Sequence, residues 1–127
     1  MAYLQCLYNL VFSYYDETNY RTYYANVDRN YRWNSYFSFS SDYASVRVGY
    51  MLPYDERNMK LARFEGGDYC YEISDYHSGT VEFVEDCEAD ELTVTVTEPS
   101  PCVHVMVING MCCEVRKDFF HGFATDA

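Results

Sequence analysis

The groups in this 127-residue chain with chemistry to offer are six cysteines, three histidines and a run of acids. Asn109-Gly110 lies between VHVMVI and MCCEV, and this pair favours the positive φ angles of a two-residue hairpin turn. Such a hairpin would put Cys102, His104, Met106 and Cys113 on one face, where soft sulfur and imidazole donors suit Cu(I) or Zn²⁺. Cysteine and methionine are also ordinary core fillers, and the chain has no CxxC pair, so packing is favoured over coordination. Cys6, Cys70, Cys87, Cys102, Cys112 and Cys113 are even in number, which leaves many pairings open. The opening MAYLQCLYNLVF lacks a positive leader segment, which predicts reduced thiols and a cytoplasmic location, or a secreted one if a leader has been removed.

Glu82, Glu85, Asp86, Glu88, Asp90 and Glu91 would bring two carboxylates within glycosidase reach, but so would any acidic loop. His77, His104 and His121 have no nearby nucleophile motif, and no glycine-rich phosphate loop is present. The prediction is a protein without catalytic activity. Between Tyr20 and Tyr43, Arg21, Arg29 and Arg32 are interleaved with tyrosines, Trp33, Phe37 and Phe39. Tyrosine with arginine suits recognition, but in a sandwich most of these rings become core.

A formal charge of −11 argues against direct contact with nucleic-acid phosphates or anionic membrane, and no apolar run reaches the ~20 residues of a membrane span. The charge is uneven. Residues 1–63 carry seven basic and six acidic groups, whereas residues 64–115 carry twelve acidic groups and no Lys or Arg. The acidic half reads as a solvated face, or as a surface for a cation or a basic protein.

The elements that would position these groups are strands. Leu4, Cys6, Tyr8, Leu10, Phe12 and Tyr14 alternate on one face, and the same period recurs in Ser45–Leu52, Tyr69–Ile73, Thr80–Val84, Leu92–Val96 and Val103–Ile108. A helix over residues 4–15 also fits Leu4, Leu7, Val11 and Tyr15, but β-branched and aromatic content favours strand. Tyr15-Asp16-Glu17-Thr18-Asn19 recurs as Tyr54-Asp55-Glu56-Arg57-Asn58, each copy after an apolar strand. Downstream of the copies come Ser45-Val46-Arg47-Val48 and Thr93-Val94-Thr95-Val96, so two units share one plan.

With YYDETNY at 14–20, SVRV at 45–48, YDERNM at 54–59, GGDY at 66–69 and TVTV at 93–96, the chain resembles the βγ-crystallin superfamily. The resemblance implies an all-β Greek-key β-sandwich over residues 1–97 (motif one 8–48, motif two 50–97). Residues 98–127 would then form an extra C-terminal β-hairpin packed on the same domain. It also implies calcium, held by a hydroxyl and carbonyls before each last strand together with the opposite hairpin. Allowing a one-residue shift, the residues it implies are Asp42, Ser45, Asp90 and Thr93, with Glu17 and Glu56 as cross-motif partners. Ala44 and Leu92 stand where the family places the ligand hydroxyl, so the implied binding is weak. The function expected on these grounds is a structural, stability-conferring protein with weak calcium binding. Its rival is an acidic effector (an inhibitor, toxin or viral antagonist) that engages a basic or nucleic-acid-binding protein. Self-association is a further expectation.

Overall fold

A computed structural model describes residues 9–29, 32–53, 57–58 and 60–111. Its strands are β1 (Asn9–Asp16), β2 (Arg21–Asp28), β3 (Tyr36–Ser40), β4 (Ser45–Met51), β5 (Leu61–Gly66), β6 (Tyr69–Cys70), β7 (Asp75–Tyr76), β8 (Ser78–Glu85), β9 (Thr93–Ser100) and β10 (Val103–Met111). All-β is therefore the fold class, and residues 9–16 are strand rather than helix. Eight strands form one sheet in the order β1-β2-β3-β4-β5-β8-β10-β9, with β6 and β7 as a separate hairpin. Neighbours are antiparallel except β8 and β10, which run parallel from Val103 opposite Ser78.

Alternation sets the two faces of this sheet. Tyr23, Ala25 and Val27 of β2, Phe37 and Phe39 of β3, Val81 and Phe83 of β8, and Met106 and Ile108 of β10 all point inward and are buried. The sheet curls until β2 meets β10 and β9. Tyr23 reaches His104, and Arg21 reaches Glu98. The result is a nearly closed, barrel-like sheet. Gly79 shows how tightly it closes: a Cβ there would lie 2.5 Å from the His104 carbonyl, 2.9 Å from Val48 and 3.2 Å from Phe37.

Two local expectations change. Asn109-Gly110 is not a hairpin turn. Both residues lie inside β10, with Asn109 opposite Thr93, and the register shifts between Asn109 and Met111. Gly110 takes its positive φ of 95° at this irregularity. The chain instead reverses at Pro101 and Cys102, whose φ is 65°. The predicted strand at Tyr69–Ile73 stops at Cys70, and residues 71–74 form a turn. At the first YDE-N segment, Asp16 caps the β1–β2 turn by accepting from the Thr18 amide and the Asn19 side chain. Residues 54–56 of the second copy, Glu56 among them, lie outside the described residues.

Candidate functional site

One end of the barrel holds a connected line of polar groups. Arg21 Nη1 donates to the Tyr23 hydroxyl at 3.3 Å and to Glu98 Oε1 at 3.2 Å. The same guanidinium lies 4.4 Å above the Phe39 ring centroid, a cation–π contact. Glu98 Oε2 accepts from the Cys102 amide at 2.9 Å, which fixes the β9–β10 turn. Burial pushes the Glu98 carboxyl up, but the Cys102 amide, His104 and Arg21 together bring it below the usual carboxylate range.

Beneath this pair, the Tyr23 hydroxyl lies 3.2 Å from Nδ1 of His104, which is buried. Arg21 donates into the phenol oxygen, so the phenol proton is assigned to Nδ1 and His104 to its Nε2–H tautomer. His77 stacks on His104 with ring centroids 5.6 Å apart. His104 is lowered to about 4, by burial first and then by the neighbouring His77 and Arg21, against the opposing pull of Glu98. His77 is also lowered, chiefly by burial, against Asp68 and Glu98. Both rings are therefore neutral at pH 7, and His77 Nδ1 and His104 Nε2 are buried without a hydrogen-bond partner.

Above the histidines stands the β6–β7 hairpin. Tyr69 pairs with Tyr76 and Cys70 with Asp75. Its base is stitched to the barrel: the Arg47 amide donates to the Asp68 carboxylate and the His77 amide to the Asp68 carbonyl, each at 2.8 Å. Cys70 is bonded to Cys102, so the hairpin is tied to the turn that Glu98 holds. Cys87 is also disulfide-bonded, which corrects the expectation of reduced thiols. Tyr69, Tyr71 and Tyr76 are exposed. The Tyr69 ring meets Tyr71 at 4.9 Å and Tyr76 at 5.4 Å, edge-on in both cases.

A shallow cavity of about 120 Å³ lies at the opposite end, lined by Arg29, Leu52, Pro53, Asn58, Leu61, Ala62 and Arg63. Arg21 opens β2 and Arg29 follows its last residue, so the two ends are about 26 Å apart at the strand rise.

Among the described residues, the one group of three Cys, His or acidic ligand atoms that converges within 4.8 Å is Cys70, His77 and Cys102. The disulfide consumes both sulfurs, so this group offers one imidazole and no thiolate. The soft-metal face expected from the sequence is taken apart in the same way. His104 and Met106 are core, and Cys102 is in the disulfide. Cys113 lies outside the described residues.

The calcium-site residues are spread over the surface. Glu17 is in the β1–β2 turn, Asp42 in the bend before β4, and Asp90 in the bend before β9, all exposed. Ser45 opens β4 opposite Ser40, and Thr93 opens β9 opposite Asn109. β5, β8 and β10 separate those two strands in the sheet. The Tyr20–Tyr43 segment divides as a sandwich would require: Tyr23, Phe37 and Phe39 are core, while Tyr20, Trp33 and Tyr43 are exposed. The tyrosine hairpin was missed because Tyr69 and Tyr71 alternate with Cys70, which reads as ordinary strand. Its signal was the third tyrosine, Tyr76, beyond a short polar break.

The fold has solved counterparts. The MRH domain of glucosidase II beta bound to mannose matches with a TM-score of 0.55 at 13% identity, over 84% of this chain and 94% of that one. The barrel is an MRH-like fold. MRH denotes mannose-6-phosphate receptor homology. The MRH domain of Yos9 complexed with alpha3,alpha6-Man5 matches at 0.53 and 13% identity, over 98% of this chain and 88% of that one. Domain 11 of chicken IGF2R matches at 0.51 and 14% identity, over 84% and 78%. No family model matches the chain, and no curated protein matches it in sequence.

These likenesses overturn the βγ-crystallin resemblance. A repeated YDE-N pentamer encodes a local acidic turn, and such turns serve many β folds, so the repeat did not fix the topology. The structural role and the weak calcium binding expected from that resemblance go with it, and the same likenesses replace the separate, charge-based expectation of an acidic effector with a basic-protein partner. The described residues contain no helix long and apolar enough to cross a membrane.

Proposed function

We propose that this chain is a non-catalytic carbohydrate-binding domain that recognises hexose residues of an oligosaccharide. The observation that carries the reading is the barrel's likeness to two MRH domains whose structures hold mannose and alpha3,alpha6-Man5, over 84% and 98% of this chain. The surface chemistry supports it. Vicinal sugar hydroxyls are met by groups that donate and accept in fixed directions, and apolar pyranose faces are met by aromatic rings. Arg21 and Glu98, each partly exposed and held by other bonds, provide a fixed donor and a fixed acceptor. The disulfides at Cys70, Cys87 and Cys102 fit an oxidising compartment, where glycoproteins mature or reside.

The test is a glycan array probed with the oxidised full-length chain, followed by calorimetric titration of the best ligand. Saturable binding that free monosaccharide displaces is expected. Uniform lack of binding across neutral and mannose-terminated glycans would overturn the reading.

A further inference from the structure

We infer that the β6–β7 hairpin is the stacking platform for that oligosaccharide, with Tyr71 as its principal ring and Tyr69 and Tyr76 beside it. This rests on the carbohydrate reading above and goes further by assigning the ligand to one end of the barrel. Tyr69, Tyr71 and Tyr76 are 43%, 87% and 57% exposed, on a hairpin with two residues in each strand. An isolated hairpin of that size does not hold its shape in water. This one is held from three sides, by the Cys70–Cys102 disulfide, by Asp68 at its base and by the edge-on packing of the rings. Rigid exposed tyrosines bind with little loss of conformational entropy.

The shape and charge of the patch select the ligand. The rings stand at 76° and 84° to one another, so they present separate facets rather than one flat apolar surface. Covering the exposed parts of the three tyrosines would bury roughly 280–470 Å². That falls short of the ~800 Å² per partner of a stable protein interface and suits a few sugar rings. Asp68, Glu72 and Asp75 flank the platform and outnumber Arg47 at its base, while Arg21 is paired with Glu98, so an anionic ligand is disfavoured. Neutral hexoses meet these requirements: their C–H faces stack on the rings, and their hydroxyls donate to phenol and carboxylate oxygens. Across the disulfide, the Arg21–Glu98 pair lies next to the hairpin and is the polar partner for a sugar unit beyond the stacked one.

The experiment titrates alpha3,alpha6-Man5 into the oxidised full-length chain and three variants, each checked for an unchanged melting temperature. Tyr71→Ala is expected to weaken binding at least tenfold, and Tyr71→Phe, which keeps the ring, to stay within about threefold of the parent. Arg63→Ala, in the cavity at the far end, is expected to leave affinity unchanged. Binding that survives Tyr71→Ala but is lost with Arg63→Ala overturns the platform and moves the sugar to the cavity, leaving the carbohydrate reading intact. Binding untouched by any variant also overturns the platform. Man5 that fails to bind the parent chain overturns the platform, and the array then decides whether the carbohydrate reading falls with it.

Discussion

The Tyr23 hydroxyl on β2 and the His104 Nδ1 on β10 meet at 3.2 Å across the barrel interior, between strands that do not pair in the sheet. This bond and the Arg21–Glu98 contact above it join the second strand of the sheet to its last two strands. The polar line is therefore a closure device for the fold as well as a neighbour of the β6–β7 hairpin.

Replacing the phenol tests that closure. Tyr23→Phe keeps the ring contacts with Phe37 and Phe39 but leaves buried His104 Nδ1 without its partner. A loss of about 1–3 kcal/mol is expected in urea unfolding, with an unchanged m-value.

Acid should weaken the fold through the same residues. His104 is lowered from 6.5 to about 4, so between those values the unfolded chain takes a proton that the folded chain refuses. Its contribution is complete above pH 6.5, falls as the pH drops towards 4, and amounts to about 3 kcal/mol over that span. His77, also lowered, adds to the slope with the same sign. Glu98, lowered below its ordinary value, extends the loss to more acidic pH. Arg21 and Tyr23 keep their protons throughout. Denaturation midpoints measured from pH 7.5 to 4 should fall steadily, and His104→Leu should flatten that fall whatever it does to stability at pH 7.

The disulfide joins Cys70 and Cys102 across a sequence separation of 32. The loop-entropy relation then gives about 3–4 kcal/mol of stabilisation. The Cys70→Ser, Cys102→Ser double variant is expected to melt well below the parent. In the folded variant, amides of residues 69–76 should exchange faster while those of β2 and β3 keep their protection.

Gly79 supplies a packing test. Ala at this position would drive a methyl group against the His104 carbonyl and Val48, and the rigid backbone contact at 2.5 Å cannot be relieved by a rotamer change. A destabilisation of about 1–3 kcal/mol is expected from Gly79→Ala.

Much of the local structure was legible in the sequence. Period-two alternation located β4, β8, β9 and β10, because a side chain's face in a strand depends only on its parity. The YDE-N pentamer was visible, but that Asp16 caps the β1–β2 turn through Thr18 and Asn19 came from the structure. Asn109-Gly110 was misread for a physical reason. A type I′ turn and a strand irregularity both recruit glycine at positive φ, and the choice depends on distant partners. In this chain, β10 is held on both sides, by β9 and by β8.

By itself the sequence determined that the chain is built of strands, that Phe37 and Phe39 belong to the core, and that the acidic charge gathers in its second half. Only the tertiary structure decided that β10 runs parallel beside β8, that Cys70 takes Cys102, and that three tyrosines outside the core stand together on a pinned hairpin. Alternation is a property of neighbouring residues and survives in any β fold. Strand order, disulfide pairing and barrel closure depend on residues tens of positions apart, such as Tyr23 and His104, and are chosen by the packing of the whole sheet.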